Sequence, residues 1–230
     1  MKSNLDGFMD ILEACRWHGV KQLVFASSSS VYGMNQNDLF NEEDPTNTPI
    51  SLYAASKIAN EAMAHSYAHQ YGISCIGLRF FTVYGPWGRP EMVPMMFADK
   101  IRKKEKITLY KDGEMLRDFT YIDDIAEGVI RAADYELNKQ KCPNNVPLKV
   151  YNIGNGHPVK MVDFVKELAE AYGDSTEVEL TKEVRSGDVL RTNADISKPK
   201  NELGYSPKWN LRDGLKEFII WYKSDKNPLK

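Results

Sequence analysis

The 230-residue chain has few cysteines, almost no excess charge and no long apolar run. Its 3 cysteines are widely spaced, which argues against a disulfide framework and gives no metal-binding pattern. A formal net charge of -2 provides no general attraction to nucleic acid or to an anionic membrane. No apolar stretch could span a bilayer, and the chain starts on an amphipathic segment without signal-peptide features. We therefore expect a cytoplasmic protein that binds no nucleic acid, membrane or metal.

The sequence also contains no Gly-x-x-Gly-x-x-Gly pattern of the kind that holds the pyrophosphate of a dinucleotide. The nearest approximation is Gly154-Asn155-Gly156, which lacks the third glycine. Such a short glycine pair is typical of a turn after a strand. Glycine spacing alone therefore predicts no independent dinucleotide site.

Apolar residues are present in an alternating order of helical and strand patterns. They recur at helical spacing over residues 5–15 and 51–71, and each segment is followed by a glycine. Continuous apolar runs near 23–26 and 74–81 are typical of strands buried on both faces of a parallel sheet. This alternation predicts an α/β fold with a doubly wound parallel sheet.

The second half of the chain is less regular. Helical segments are predicted near 97–103, 122–134, 161–172 and 215–222, with short strands near 107–109, 119–121 and 150–153. This part is therefore expected to be mixed, with some segments joining the sheet and others forming a smaller lobe.

Tyr53 and Lys57 lie on one face of the second predicted helix, because four residues turn an α-helix about 40° past one revolution. The run Ser27-Ser28-Ser29-Ser30 follows the first predicted strand, at the end where α/β sheets bind ligands. A phenol, a nearby ammonium and a hydroxyl can move a proton on and off a sugar hydroxyl. Taken alone, however, the Tyr-x-x-x-Lys spacing is explained more simply by a solvated helix face.

Longer motifs make the pattern specific. They are FASSSSVYG at 25–33, YAASK at 53–57, LRFFTVYGP at 78–86, RDFTYIDD at 117–124, YNIG at 151–154 and RSGD at 185–188. In order and spacing these motifs resemble the extended short-chain dehydrogenase/reductase family of nucleotide-sugar epimerases and dehydratases. The resemblance covers nearly the whole chain and implies an enzyme with NAD as cofactor and a UDP-sugar as substrate.

The fold that this resemblance implies is an incomplete Rossmann-type doubly wound parallel sheet with a smaller mixed α/β substrate-binding lobe. Residues 1–90 would form the C-terminal part of the NAD-binding domain and carry the catalytic residues. Residues 91–230 would form mainly the nucleotide-sugar-binding lobe. Segments near 119–135 and 149–153 would return to the Rossmann-type domain.

Members of the family begin with a strand, a glycine-rich turn and a helix, and this sequence has no counterpart of that region. The predicted strand at 23–26 would then become an apolar sheet edge. We expect the chain to be poorly stable alone, to associate, or to be completed by a missing N-terminal segment. The resemblance also implies a homodimer through the helices around Phe8 and Tyr67, although intramolecular packing of these helices is equally compatible with the sequence.

The resemblance implies a role for individual residues. Tyr53 would be the catalytic base, Lys57 its activator and a ligand of the nicotinamide ribose, and Ser28 the strand-end hydroxyl. The other matched positions contact cofactor or substrate: Phe80, Phe81 and Val83 near the nicotinamide, Ser30, Thr82 and Arg89 near the sugar, and Arg117, Arg185 and Asp188 near the nucleotide diphosphate and ribose.

Within the family, the sequence is most similar to members that epimerise a UDP-hexuronic acid at C4 through a transient 4-keto intermediate. Dehydratases and decarboxylases place an acidic residue before Val-Tyr-Gly, whereas Ser29 and Ser30 are neutral. Arg89 offers a cation suited to a hexuronate carboxylate. Two alternatives stay open: another nucleotide-sugar dehydratase or reductase of the family, and a non-catalytic fragment that binds nucleotide sugar.

Several other polar residues have a structural explanation. His65 and His69 are four residues apart, but no acidic zinc motif accompanies them, so a solvated helix face is favoured. Arg79 lies in an apolar run and is either catalytic or ion-paired in the core, and the pattern favours pairing. Asp123 and Asp124 precede a helical segment and are typical of a cap.

Overall fold

The computed structural model describes residues 1–183 and 189–229. The chain divides into two compact units. The first unit contains Met1–Phe81, Ala126–Ile153 and Ala194–Ser206, and the second contains Thr82–Ile125, Gly154–Asn193 and Pro207–Lys230. The predicted assignment of residues 1–90 to NAD binding and of the later residues to nucleotide-sugar binding stays a prediction.

Helices and short strands alternate along the chain. The helices are α1 (Asp6–Trp17), α2 (Leu52–Tyr71), α3 (Val93–Lys103), α4 (Ile122–Asp134), α5 (Met161–Tyr172), α6 (Ser197–Leu203) and α7 (Leu211–Lys223). The strands are β1 (Gln22–Ser28), β2 (Ser74–Phe80), β3 (Thr82–Tyr84), β4 (Ile107–Tyr110), β5 (Leu116–Arg117), β6 (Phe119–Tyr121), β7 (Leu148–Ile153), β8 (Val159–Lys160) and β9 (Val178–Thr181). A 3-10 helix, Ser29–Tyr32, follows β1 directly.

The first unit contains a three-stranded parallel sheet in the order β1-β2-β7. The register pairs Ser28 of β1 with Phe80 of β2, and Phe80 with Ile153 of β7. The carboxyl ends of the three strands therefore meet at one edge of the sheet. Within the described residues β1 pairs only with β2. The side of β1 that faces away from β2 is therefore a lateral edge of the sheet, as predicted from the sequence.

Helix α2 has clear signals at both ends, as the sequence predicted. The Ser51 hydroxyl accepts a hydrogen bond of 3.0 Å from the Ala54 amide, which satisfies one of the free donors of the first turn. Gly72 ends the helix in the left-handed conformation, with φ of 70°, which glycine adopts without a steric penalty. These caps fix the position of the first turn, where Tyr53 lies.

All three cysteines are buried and free. Cys15 and Cys75 belong to an apolar cluster with Phe25 and Ala64, between α1, α2 and the sheet. Burial raises the pKa of the Cys75 thiol to about 12. The thiols are therefore core residues, in agreement with the absence of a disulfide pattern in the sequence.

The second unit combines three small strand pairs with helices α3, α5 and α7. Strands β3 and β6 and strands β4 and β9 pair in parallel, whereas β5 and β8 are antiparallel. Its core is rich in aromatic rings, and Phe119 and Phe164 are stacked with centroids 4.1 Å apart. Parallel strands connected by helices confirm the predicted α/β class.

Neither the helices nor the histidines suggest a membrane or metal site. In the described part of the chain no helix has the length and hydropathy of a membrane span. His65 and His69 are both exposed on α2, as expected for a solvated face. Among residues 1–183 and 189–229, no group of three or more His, Cys, Asp or Glu side chains could hold a metal ion.

Candidate active site

The predicted site residues are divided between the two units. Tyr53, Lys57, Ser28, Ser30 and Phe80 lie in the first unit, whereas Thr82, Val83, Arg89 and Arg117 lie in the second. Arg185 and Asp188 lie outside the described residues. The roles of both groups stay predictions.

Tyr53 and Lys57 lie one turn apart in the first half of α2. Tyr53 is 48% exposed, so its phenol is accessible to a ligand. The Lys57 ammonium lies 5.9 Å from the centre of the Tyr53 ring and donates a hydrogen bond of 3.0 Å to the carbonyl of Ala26 in β1. Burial lowers the pKa of Lys57, because desolvation disfavours the charged amine. The ammonium is thus anchored to the strand end beside the phenol.

Ser28 is the last residue of β1 and is buried, with 8% of its surface exposed. Its hydroxyl oxygen accepts a hydrogen bond of 3.2 Å from the Ser30 amide and caps the short helix that follows. This cap stabilises the change from strand to helix at the carboxyl end of β1. Ser30 is half-buried in the same turn, so the structure brings these two serines together.

Strand β2 carries two aromatic residues at or just beyond its end. Phe80 is the last residue of the strand and is partly exposed, whereas the following Phe81 is 3% exposed. Phe81 packs against Tyr32 and Phe40, with ring centroids 6.4 Å from each. Phe80 is therefore partly accessible at the carboxyl end of β2, and Phe81 is a core residue.

Arg79 is ion-paired in the core, which confirms the structural reading of this residue. Its Nη2 lies 2.8 Å from Glu61 Oε2, and the two side chains are 5% and 13% exposed. The two hydrogen bonds that the guanidinium donates to the carboxylate raise the pKa of Arg79 despite its burial. The pair joins β2 to α2 beneath the strand ends.

The second unit contains a cavity of about 500 Å³ next to β3 and β5. Thr82 and Arg117 both line it, so the structure brings these two predicted residues together. Hydrophobic side chains such as Phe97 and Met115 form much of the wall, and Lys100 adds a second cation. Glu91 adds one carboxylate to the wall, so the two cations leave an excess of positive charge. A largely apolar wall with such an excess can hold a flat base and a phosphate group.

Arg89 lies on the loop between β3 and α3. Its side chain is 71% exposed and approaches Glu91, with Nε and Oε1 3.8 Å apart. The loop has a strained backbone at Trp87, whose φ of 62° is unusual for a bulky residue. The Trp87 ring contacts Trp221 of α7, with centroids 5.7 Å apart. The guanidinium therefore extends from a constrained loop into solvent.

Val83 is the central residue of β3 and pairs with Thr120 of β6. Its side chain is half-buried. Thr82, the preceding residue, donates its amide to the Asp118 carbonyl over 3.1 Å. Pairing with β6 thus sets the position of both residues.

Two buried aspartates bond to backbone amides of distant segments in the second unit, and no role was predicted for Asp118. Its carboxylate accepts hydrogen bonds of 2.8 and 2.9 Å from the amides of Asn155 and Gly156, in the irregular segment that directly follows β7. The Asp124 carboxylate accepts hydrogen bonds from the amides of Lys208 and Trp209. The expectation for Asp124 was a helix cap, whereas its partners lie more than 80 positions away in the chain.

The residues of the first unit fit one end of NAD. The accessible Tyr53 phenol and the anchored Lys57 ammonium can both contact the hydroxyl groups of a nicotinamide ribose. Phe80 offers an aromatic surface at the same sheet edge. The sequence contains no glycine-rich turn for the pyrophosphate, so the fit concerns the nicotinamide end only.

Comparisons with known proteins identify a family and relatives of this chain. Residues 1–154 match the NAD dependent epimerase/dehydratase family. The chain is 44% identical over 230 residues to an uncharacterized 37.6 kDa protein of Escherichia coli O111:H-, covering 96% of this chain and 69% of that protein. It is 45% identical over 232 residues to UDP-glucuronate 4-epimerase 4 of Arabidopsis thaliana, covering 96% of this chain and 53% of the plant protein.

A solved structure gives the same result. The UDP-glucuronic acid 4-epimerase of Bacillus cereus, in complex with UDP-glucuronic acid and NAD, superposes with a TM-score of 0.85 and 32% sequence identity. The match covers 96% of this chain and 68% of the Bacillus chain. The match to a Rossmann-type epimerase also confirms the predicted fold class. The chain therefore belongs to the NAD dependent epimerase/dehydratase family.

Proposed function

We propose that the chain catalyses the NAD-dependent 4-epimerisation of a UDP-hexuronic acid, from UDP-glucuronate to UDP-galacturonate. One observation carries this proposal. The half-exposed Tyr53, the anchored Lys57 and the strand-end Ser28 occur together in the first unit of a member of this family. The similarity to the plant and Bacillus enzymes named above supports UDP-glucuronate as the substrate.

In the proposed reaction, the Tyr53 phenolate removes the proton from the 4-hydroxyl of the sugar. Lys57 holds a positive charge near the phenol and stabilises its ionised form. The Ser28 oxygen accepts a hydrogen bond from the Ser30 amide, which leaves its own O–H available to donate to the substrate oxygen. NAD, when bound, would accept the hydride from C4 and later return it to the same carbon. Tyr53 then returns the proton when the ketone is reduced from the opposite face of the sugar ring.

The cavity of the second unit suits the nucleotide half of the substrate. The Arg117 guanidinium at its wall would bind the diphosphate, and Lys100 provides additional positive charge. The apolar lining, which includes Phe97, would contact the uracil ring. Thr82 lines the same cavity and would contact the sugar.

Arg89 is the proposed ligand of the hexuronate carboxylate. Its guanidinium is exposed, and its carboxylate neighbour Glu91 is at the outer limit of an ion pair, so the contact with a substrate costs little. Oxidation at C4 of a hexuronate creates a β-keto acid, which loses CO₂ readily when the scissile bond aligns with the carbonyl π system. A fixed carboxylate would keep that bond out of alignment.

We also propose a cytoplasmic homodimer formed through α1 and α2. Large apolar side chains are exposed there: Met9, Ile11 and Trp17 on α1 and Tyr71 on α2, with Trp17 73% exposed. Single exposed apolar residues are common, but a cluster on two adjacent helices is typical of an interface. Sedimentation should give a dimer, and Trp17→Asp should shift it to monomer. A monomeric unmodified chain would contradict the proposal.

The function is tested by incubating the protein with UDP-glucuronate and NAD and identifying the products by chromatography and NMR. UDP-galacturonate is expected, and Tyr53→Phe should abolish its formation. A decarboxylated UDP-pentose as the main product would indicate another reaction of the family. Binding of UDP-glucuronate without any turnover would favour the non-catalytic alternative.

The role of Arg89 is tested with Arg89→Ala. The variant should bind UDP-glucuronate more weakly and release more decarboxylated by-product than the unmodified protein. Arg212→Ala is a matched control, because Arg212 is also an exposed arginine of the second unit and pairs with Glu167 and Glu170 on its surface. Unchanged binding and product ratio in Arg89→Ala would exclude the proposed contact.

A further inference from the structure

We propose that Glu61 is a positioning residue that holds helix α2 at the carboxyl end of strand β1. The helix carries Tyr53 and Lys57, and the strand end carries Ser28. Glu61 itself is not placed to touch the substrate. This inference rests on the proposed function and deepens it, since it concerns the alignment of the groups that move the proton.

Glu61 lies one helical turn after Lys57, on the same side of α2. Its Oε1 accepts a hydrogen bond of 2.5 Å from the Ser27 hydroxyl. Ser27 immediately precedes Ser28 in β1, so this bond acts one residue away from the proposed substrate contact. The Lys57 ammonium bonds to the carbonyl of Ala26, the residue before Ser27. Successive turns of the helix are therefore bonded to successive residues of the strand.

Arg79 extends the contact across the sheet. Ser27 and Arg79 are directly paired in the register of β1 and β2. Arg79 donates from Nε to Glu61 Oε1 over 2.9 Å and from Nη2 to Oε2 over 2.8 Å. This two-point contact fixes the orientation of the carboxylate as well as its position. Glu61 is thereby oriented by β2 while it bonds to β1.

The same guanidinium also holds the turn that follows Ser28. Its Nη1 donates to the Tyr32 hydroxyl and to the Glu42 carbonyl, both over 3.1 Å. The Tyr32 hydroxyl in turn donates to Asn152 Oδ1 of β7 over 2.6 Å. The network thus connects α2, all three strands of the sheet and the turn after β1.

Because the network is buried, its hydrogen bonds favour a single position of α2 relative to β1. Ser27, Tyr32, Arg79 and Asn152 are at most 4% exposed, so their polar groups have little access to water as an alternative partner. A shift of α2 along β1 would break the Ser27 and Arg79 bonds together and leave buried charge unpaired. Lys57 can leave the Ala26 carbonyl to contact a ligand hydroxyl, because the bond from Ser27 to Glu61 would still hold the helix.

The proposal is tested with Ser27→Ala, which removes one hydroxyl and keeps the ion pair between Arg79 and Glu61. With UDP-glucuronate and NAD, kcat should fall between about tenfold and about a hundredfold while KM changes little, since misalignment affects the chemical step more than binding. Ser27→Thr keeps a hydroxyl and should recover most of kcat. A Ser27→Ala variant with a lower Tm but an unchanged kcat would overturn the positioning role.

A second readout does not depend on catalysis. The pKa of Lys57, followed by NMR of lysine labelled at the ε-carbon, should rise toward the ordinary lysine value in Ser27→Ala, because a loosened helix lets water reach the ammonium. An unchanged Lys57 pKa would contradict the proposal. If the unmodified protein does not epimerise UDP-glucuronate, the proposed function fails, and this titration still decides the positioning role.

Glu202→Gln is the control for the loss of a polar network in the same unit. Glu202 pairs with Lys149 and accepts a hydrogen bond of 2.7 Å from Tyr151, both on β7. Neither partner contacts α2 or β1 through these bonds. The control variant should lose stability without a change in kcat or in the Lys57 pKa. A similar kcat loss in Glu202→Gln would mean that any destabilisation of the unit impairs catalysis, and would overturn the specific role of Glu61.

Discussion

Removing one partner of the buried pair between Arg79 and Glu61 should destabilise the protein strongly. Their side chains are 5% and 13% exposed, so either single substitution leaves a charge with little solvent to stabilise it. Truncating one partner of such a pair costs about 3–5 kcal/mol of unfolding free energy. The cost of Glu61→Leu should lie at the upper end of this range, because the substitution leaves Arg79, the more deeply buried partner, without its carboxylate. Arg79→Met should lie at the lower end.

The double substitution should cost less than the sum of the two single ones. With both charges removed, no unpaired ion stays buried, and the coupling free energy should be about 1–3 kcal/mol. The assay is urea unfolding, monitored by circular dichroism, of the unmodified protein, the two single variants and the double variant. The comparison requires that all four proteins have the same m-value. The exposed pair between Arg212 and Glu170 is the matched control and should show far weaker coupling than the buried pair. Additive single effects at Arg79 and Glu61 would refute the reasoning.

Three further perturbations test local features. Gly214→Ala places a methyl group against the buried Tyr84 hydroxyl and should cost about 1–3 kcal/mol, and adding Tyr84→Phe should recover part of this in thermal unfolding. Ser51→Ala removes the N-cap of α2 and should cost about 1 kcal/mol, with faster amide exchange in the first turn. Hydrogen bonding from Arg16 lowers the pKa of Glu13 from 4.5 to about 2. The ionised Glu13 therefore stabilises the folded protein above pH 4.5, and this contribution should be lost as the pH falls toward 2. In thermal unfolding, Tm should fall less over this pH range in Glu13→Gln than in the unmodified protein.

The elements that sequence predicted well are those with strong local signals. Helix α2 was expected from about 51 to 71 and is found at Leu52–Tyr71, because a serine cap and a terminal glycine mark its ends. Strand β1 was expected at 23–26 and extends to Ser28. Apolar runs and caps act over a few residues, so a single sequence is sufficient to recognise them.

Four short strands, β3, β5, β8 and β9, and helix α6 were missed for the opposite reason, whereas β4, β6 and β7 were expected. Strands such as β5 and β8 have two residues each and are defined by their pairing across more than 40 positions of the chain. Helix α6 has seven residues, which is too short for a clear periodic pattern. Such elements depend on contacts between distant segments, and these contacts have no local signature.

The candidate site also combines features with a local sequence signal and contacts between distant segments that have none. The spacing of Tyr53 and Lys57 predicted that they share a helix face, and the distance of 5.9 Å between ammonium and ring agrees with it. The pairing of Arg79 in the core was expected, but its partner could not be identified, because Glu61 lies on a different element. The sequence shows a glutamate four residues after Lys57. Its role can be recognised only from the structure, which places Ser27 and Arg79 beside it.

In the proposed reaction, a hydride leaves C4 of UDP-glucuronate and returns to the same carbon. The most direct measurement is the reaction in D₂O with NAD, followed by NMR of the UDP-galacturonate formed. A hydride held by NAD does not exchange with solvent, so the product should carry no deuterium at C4. Deuterium at C4 would contradict this mechanism, since the hydrogen added to that carbon would then have come from water.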